Sequence, residues 1–400
     1  METRTSPRIA AAPAAPDEPI GIYLHVPFCA HICPYCDFNT YAGAGQMALV
    51  PRYVAAMGRE IARQGEEHGH PAAGTIFIGG GTPSLLTPDQ IGEVIAACRD
   101  AFDLLPGAEV TMEANPNGLD AATAAGFAAA GVTRLSLGVQ TVHRRGLRTL
   151  GRQHEADDAR AAYVAARQAG FTSVSLDLIF GWPGQTLDGW RDDLDAVLAW
   201  PDGGPDHLSL YSLIVEPGTP FADAVARGIL RPLDDDASAD LYELAMARLD
   251  EAGFEHYEVA NWARTPADRS RHNVTYWRNG SWAGIGAGAH GQWPGRREME
   301  HLLPRTFIEA IEAGQSPVSN LDEVTPRMAM GETMMLGLRL IRDGVGEGAF
   351  AARHGVGLAE AFGPTIDDLA ALGLLERDAG RVRLTPRGLM VANDVCARFL

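Results

Sequence analysis

The chain contains no lysine: all 33 of its basic residues are arginine. Schiff-base catalysis, a pyridoxal-phosphate anchor and a P-loop lysine are excluded together, since each needs an ε-amino group. No run of about eighteen apolar residues occurs, so no transmembrane helix is expected. The opening stretch, residues 1–19, is rich in Ala and Pro, carries Glu2, Asp17 and Glu18, and lacks the apolar core of a secretory signal. It reads as a disordered tail, and the protein as cytoplasmic. Cysteine is scarce at five residues; three lie between positions 29 and 36, and Cys98 and Cys396 are remote. An odd trio in a chain with core enough of its own does not make a disulfide framework.

Positive charge is also in short supply. The formal net charge of −18 argues against a nucleic-acid binder, because phosphate neutralisation needs a basic face. It equally disfavours docking through a polybasic patch, leaving at most peripheral contact with a membrane. With 400 residues and 46% apolar content, the chain is large enough for one big domain and a smaller one.

Short β-rich runs alternate with longer Ala-rich helical patterns, the signal for βα units and a parallel sheet. The strand candidates are Ile20 to His25, Thr75 to Ile78, Glu109 to Glu113, Arg134 to Val139, Val174 to Phe180 and His207 to Leu213. Helical patterns run over Val50 to Arg63, Pro88 to Phe102, Asp120 to Ala130, Ala156 to Ala169, Leu187 to Ala199 and Asp234 to Ala252. Entry signals support them, such as Thr87-Pro88-Asp89, with Thr as N-cap and Pro at the first helical position. The fold class expected is α/β, a partial (β/α)6 TIM-like barrel, over residues 20–293. From about Pro294 the alternation stops, and residues 294–400 read as a small C-terminal helical domain of winged-helix-like shape. Its closing hairpin is Leu374 to Arg377 and Arg381 to Leu384 around Asp378-Ala-Gly380, followed by a helix opened by Thr385-Pro386.

Cys29-Ala-His-Ile-Cys33-Pro-Tyr-Cys36 directly follows the first strand. Three thiolates this close can serve a soft metal or an iron–sulfur cluster. A closed zinc site needs a fourth protein ligand, and His25 and His31 are the neighbours that offer one. A [4Fe–4S] cluster on three cysteines leaves one iron open. In parallel barrels, functional residues sit at the C-terminal ends of strands, and here that rim is unusually furnished. Gly79-Gly80-Gly81-Thr82 follows strand two, Glu113 ends strand three, Gln140 ends strand four with Arg152 twelve residues on, Asp177 lies in strand five, and Tyr211 lies towards the end of strand six. A carboxylate can accept from ribose hydroxyls or an ammonium group, and the Arg152 guanidinium suits a carboxylate.

The cysteine spacing, with Tyr35 before the last thiol, is that of the radical S-adenosylmethionine (SAM) family. With the motifs Tyr23-Leu-His-Val-Pro-Phe-Cys29, Gly79-Gly-Gly-Thr-Pro, Phe180-Gly-Trp-Pro-Gly-Gln-Thr and Arg271-His272-Asn273-Val-Thr-Tyr276-Trp277, the chain from Gly21 onward resembles its oxygen-independent coproporphyrinogen III oxidase group, and within it the HemW-type heme chaperones. The resemblance implies Cys29, Cys33 and Cys36 as cluster ligands. It implies Tyr23, Tyr35, Gly80, Gly81, Thr82, Glu113, Gln140, Arg152 and Asp177 as the lining of the SAM site, where SAM would be cleaved reductively to a 5′-deoxyadenosyl radical. The oxidases of this group carry a further cysteine two residues after the third. Here Cys36 is followed by Asp37-Phe38, as in the chaperones, so decarboxylation of coproporphyrinogen is the second reading and a zinc-stabilised regulator a distant third. The partners implied are heme or porphyrin as cargo, heme-acceptor proteins, and an electron donor such as flavodoxin or ferredoxin.

A neutral imidazole is the commonest protein ligand of heme iron, and His272, beside Tyr276 and Trp277, is the residue that could supply it. The alternative is a turn cap among core aromatics. The Met-rich stretch Met328 to Met335 reads as core filler at helical spacing. Arg377, Arg381, Arg383 and Arg387 make the winged-helix end locally basic, but the acidity of the whole chain favours a cover for the barrel mouth or a partner contact over DNA binding.

Overall fold

The structure, a computed structural model, describes residues 18–400; the tail expected over 1–19 lies, up to residue 17, outside the described residues. Six strands alternate with helices: β1 (Ile20–Val26), α1 (Val50–Glu67), β2 (Ala72–Gly80), α2 (Pro88–Ala101), β3 (Asp103–Ala114), α3 (Ala121–Ala130), β4 (Arg134–Gln140), α4 (Ala156–Gln168), β5 (Ser173–Phe180), α5 (Leu187–Leu198) and β6 (His207–Ser212). The six lie in sequential order and all pair in parallel. A parallel neighbour needs a crossover, and each helix supplies one.

The strand sequences explain how this sheet curls. On one face stand Ile22, Leu24, Ile76, Ile78, Met112, Leu135, Leu137, Leu176, Leu178 and Leu208, each 0% exposed, packed under the helices. On the other stand Tyr23, His25, Thr75, Phe77, Thr111, Glu113, Ser136, Ser175, Asp177, His207 and Ser209, because successive side chains alternate across a strand. The apolar face is the domain core; the second face is the concave wall of a half barrel and is largely polar. Trp190 on α5 is fully buried and donates to the Leu241 carbonyl at 3.0 Å, pinning α5 to α6 (Asp235–Glu251).

The sheet is wider than six strands. Beyond β6 lie Asn261–Ala263 and Glu255–Glu258; beyond β1 lie Trp282–Ile285, His290–Trp293, Arg296–Glu300 and Val318–Glu323, making twelve in all. The last two carry the sheet past residue 294, where the sequence had suggested a change of domain. Pro294-Gly295 is instead the two-residue turn of a hairpin that pairs Trp293 with Arg296. Phe307, Ile308 and Ile311 of the helix after it, Pro304–Glu312, join the barrel core.

A second core starts at Met334 and includes Leu338, Phe350, Phe362, Ile366, Val382 and Phe399. Its three-stranded antiparallel sheet, in the order Val345–Gly346, Arg381–Leu384, Leu375–Asp378, sits among Pro326–Gly337, Glu347–His354 and Leu358–Ala371. This is the winged-helix-like arrangement expected of the C-terminal part. Among the described residues no helix is long and apolar enough to cross a membrane.

Candidate functional site

The C-terminal ends of β1 to β6 open into a cavity of about 500 Å3, within the range that holds a drug-sized ligand or cofactor. Its wall brings together Cys29, Cys33, Cys36, Tyr35, Gly80, Gly81, Thr82, Glu113, Gln140, Arg152 and Asp177. Eleven of the twelve residues assigned from sequence to the cluster and SAM therefore share one volume. Tyr23 does not: it lies deeper in the half barrel, stacked on Phe77 at 6.2 Å, its hydroxyl bonded to His25 Nδ1 at 2.9 Å.

The cysteine loop is held to the rim by backbone. Phe28 and Cys29 pair with Tyr41 and Ala42, and the Cys36 N–H donates to the Cys33 carbonyl at 3.0 Å. The Thr82 hydroxyl donates to Cys29 Sγ at 3.5 Å, and Arg152 Nη1 points at Cys33 Sγ at 3.7 Å. Burial pushes the Cys29 and Cys36 thiols up; the Thr82 hydroxyl partly offsets this at Cys29 and the Phe38 backbone at Cys36. His25 is spent elsewhere, with Nε2 on the Asn39 carbonyl at 3.0 Å, so it is withdrawn as a fourth zinc ligand. Among the described residues no three His, Cys, Asp or Glu side chains close around a point that would hold a single metal ion. Three thiols on the wall of a shared cavity suit a polynuclear group gripped at its corners.

The glycine turn is dictated by contact. Gly80 has φ +115°, and a Cβ there would lie 2.5 Å from the His25 ring; one on Gly81 would lie 2.7 Å from the Phe28 carbonyl and 3.0 Å from Cys29 Sγ. Only glycine allows this backbone to approach the thiols. Gln140, at φ +68°, sits where the β4–β5 register shifts, a local strain that turns its side chain into the cavity.

The floor is acidic. Glu113 accepts from the Gly80 N–H at 3.0 Å, and its carboxyl is pushed up to about 7 by desolvation first and the nearby Asp177 second. Asp177 is raised by burial, with relief from the Ser209, Ser136 and Ser175 hydroxyls and Arg134; Ser136 donates to it at 2.9 Å. Two carboxyls on one cavity wall suit a ligand that carries positive charge. Opposite them, Arg152 Nη2 bonds the Gly138 carbonyl at 2.9 Å and the Asn115 amide oxygen, while Asn115 Nδ2 reaches Thr82 at 3.2 Å. Arg152, Asn115 and Thr82 thus form one chain that touches both Cys33 and Cys29. Asn115 and Ser136 were not assigned to the site from sequence. Ser136 was readable as one of the inward alternate positions Arg134, Ser136 and Gly138 of β4.

His272 is placed differently from the heme-ligand expectation. It is 0% exposed, its Nδ1 lies 2.8 Å from the Thr75 hydroxyl and its Nε2 2.8 Å from the Tyr276 hydroxyl, and its ring packs on Phe77 at 5.2 Å. Both nitrogens are engaged by hydroxyls and the ring is not part of the rim cavity's wall, so the geometry gives His272 a structural role in place of the expected heme ligation. It closes the half barrel from the helix Arg271–Trp277, whose first two N–H groups donate to Glu109 at 3.1 and 3.2 Å.

Comparison with known proteins agrees with this geometry. A model of the radical SAM superfamily matches residues 23–197, and one of the HemN C-terminal domain matches 324–391. The chain is 40% identical over 386 residues to the heme chaperone HemW of Mycobacterium tuberculosis (strain H37Rv), covering 96% of each. It is 37% identical over 382 residues to that of Bacillus subtilis (strain 168), covering 94% of this chain and 98% of that one. Against that of Escherichia coli (strain K12) it is 35% identical over 392 residues, covering 96% and 98%. The solved radical SAM enzyme coproporphyrinogen III oxidase (HemN) of E. coli superposes with a TM-score of 0.81, covering 97% of this chain and 91% of that one at 21% identity, a likeness of fold.

Proposed function

The chain belongs to the HemW family of radical SAM proteins, and from that premise we propose that it binds a [4Fe–4S] cluster and SAM at one rim and carries heme to acceptor proteins. The observation behind this is the convergence of three thiols, a glycine turn and an acidic floor on a single cavity. Cys29, Cys33 and Cys36 would hold the cluster, which when bound supplies an open iron for the methionyl end of SAM and an electron for its reductive cleavage. The chain's own part is positioning. Gly80 and Gly81 offer backbone to the methionyl group, Glu113 and Asp177 face the positive charge and ribose hydroxyls, and Arg152 is fitted to the carboxylate. Thr82 and Arg152 direct donors at two of the sulfurs, Cys29 and Cys33.

Free thiols on an open rim suit a reducing compartment, and the cytoplasm is the place proposed. An electron donor such as flavodoxin or ferredoxin and heme-accepting proteins complete the set of partners.

Anaerobically purified protein should contain iron and sulfide in equal amounts and no stoichiometric zinc. Heme titration should give a saturable Soret change. With SAM, a reductant and coproporphyrinogen III, no protoporphyrinogen should accumulate at catalytic rates. Zinc in place of iron, or catalytic turnover of the porphyrinogen, would sink this reading in favour of the regulator or the oxidase respectively.

A further inference from the structure

Above its acidic floor the cavity turns apolar. Four large side chains on its wall are left in water: Ile32 (40% exposed) and Phe38 (66%) from the cysteine loop, Tyr211 (45%) and Ile214 (65%) from the end of β6 and the segment after it. They come from two separate stretches of chain and meet at one opening. Exposed large apolar groups gathered at a cavity mouth mark a surface that is covered in use. The floor and the mouth ask for different ligands: the floor for a cation with hydroxyls and a carboxylate, the mouth for a flat, apolar body.

His31 lies in the same wall. It is exposed, and among the described residues its ring makes no hydrogen bond. The buried histidines of the half barrel differ. His25, His154, His207 and His272 are buried, and each ring is bonded to a hydroxyl or a carbonyl. His31 is therefore the imidazole on this cavity wall with a nitrogen lone pair to give.

Resting on the heme reading above, we propose that heme docks at this mouth, its face against Phe38, Ile32 and Ile214, with His31 as the axial ligand of its iron. The bond formed is a dative one from an imidazole nitrogen to iron in place of a water, with no change of oxidation state. The porphyrin edge bearing the two propionates faces solvent. The apolar face is covered, and SAM keeps the acidic floor. Heme and SAM then occupy successive layers of one cavity, and the cysteine loop contributes to both through neighbouring residues. This position also leaves the cargo at the surface, where an acceptor can take it.

The test uses the anaerobically reconstituted holoprotein with SAM bound, titrated with hemin and followed by its Soret and visible bands. Wild-type protein should show saturable binding with an imidazole-ligated spectrum. His31→Ala, with iron and sulfide content equal to wild type, should bind at least about tenfold more weakly and lose that spectrum, and added free imidazole should restore the band. Phe38→Ser and Ile214→Ser should weaken binding while leaving the band position unchanged. Saturable wild-type binding with an unaltered spectrum and affinity in His31→Ala overturns the proposal and leaves the heme function standing. A His31→Ala spectrum that imidazole cannot restore, together with full affinity in the Phe38 and Ile214 variants, also overturns it. Failure of the wild type to bind saturably removes the heme function itself.

Discussion

Glu113 shows how one residue reports the charge of its ligand. Desolvation and the neighbouring Asp177 push its carboxyl up to about 7, well above the usual 4.5. A bound sulfonium and ammonium favour the ionised form and pull that value down, so binding expels a proton wherever Glu113 starts protonated. SAM affinity should then fall as pH drops below about 7, by up to about tenfold per pH unit for one linked proton. Calorimetry of SAM binding to the cluster-loaded protein across pH 5.5 to 8 checks this, and Glu113→Gln should flatten the profile. An unchanged slope in that variant would assign the proton to another group.

His272 is the opposite case. It is a conspicuous histidine whose motif reads as functional and whose surroundings make it structural. Burial pushes its imidazole down to about 3. A depressed histidine is neutral in the folded chain and protonates readily once unfolded, so its contribution is complete above pH 6.5 and is lost as pH falls from there towards 3. His272→Ala leaves the Thr75 and Tyr276 hydroxyls unpaired beside a void and should cost about 2–4 kcal/mol at pH 7.5. The difference from wild type should shrink below pH 6.5, and heme spectra should stay as they were. Denaturant unfolding at the two pH values measures the first and a hemin titration the second. Sequence alone could not separate His272 from His31, because what distinguishes them is the occupancy of their nitrogens, which depends on Thr75, nearly two hundred residues distant in the chain.

At the level of elements, the parallel half of the sheet was legible because its rules are local. A run of strand formers followed by a helical stretch repeats six times, four of the helices opened by the capping side chains Thr87, Asp120, Thr186 and Asp234, and the rim placement of Cys29, Gly80, Glu113 and Asp177 follows from strand ends. The antiparallel half was not. Arg296–Glu300 reads Arg-Arg-Glu-Met-Glu although it is paired on both sides, and Val318–Glu323, the edge strand beyond it, is almost wholly exposed, as suits an edge that must not recruit a partner. Pro294-Gly295 did carry a turn signal, but a turn between two polar runs looks like a boundary until the pairing is seen. The capping box on α2 tests the local rules directly. Thr87 accepts from the Gln90 N–H at 3.3 Å, and the Gln90 side chain accepts from the Thr87 N–H at 3.0 Å. Thr87→Ala should lower stability by about 1 kcal/mol with the cluster site intact. Thermal unfolding with an iron assay on the same sample separates the two effects, and loss of iron would mean that α2 steers the glycine turn after all.

For the whole molecule the question is what joins the two cores. The arginines that gave the C-terminal part a basic look are already engaged: Arg377 with Asp367, Arg383 with Glu376 and Asp378, Arg381 and Arg387 with the carbonyls of Asp343 and Leu372. They build the small domain and leave no free basic face for nucleic acid among the described residues. The seam itself runs through main-chain bonds from Val259 to Arg339 and from Ile341 to Tyr257, and through Arg297, which spans from the sheet to Glu332 at 2.8 Å while holding Gln292 at 3.0 Å. Glu332 is 7% exposed, and the Arg297 guanidinium is the cation that meets its carboxylate. Arg297→Met should strand a buried carboxylate and cost about 1–2 kcal/mol, the upper range for such losses being reduced because Arg297 itself is a third exposed. Replacing both partners by methionine removes the stranded charge and should return most of the loss, since a buried ion pair and an apolar pair of similar volume are nearly equal in energy. The double-mutant cycle, read by denaturant unfolding at pH 7.5, should therefore show a single variant well below wild type and a double variant close to it. Equal destabilisation of both would mean that packing at the seam, rather than the ion pair, keeps the small domain against the barrel.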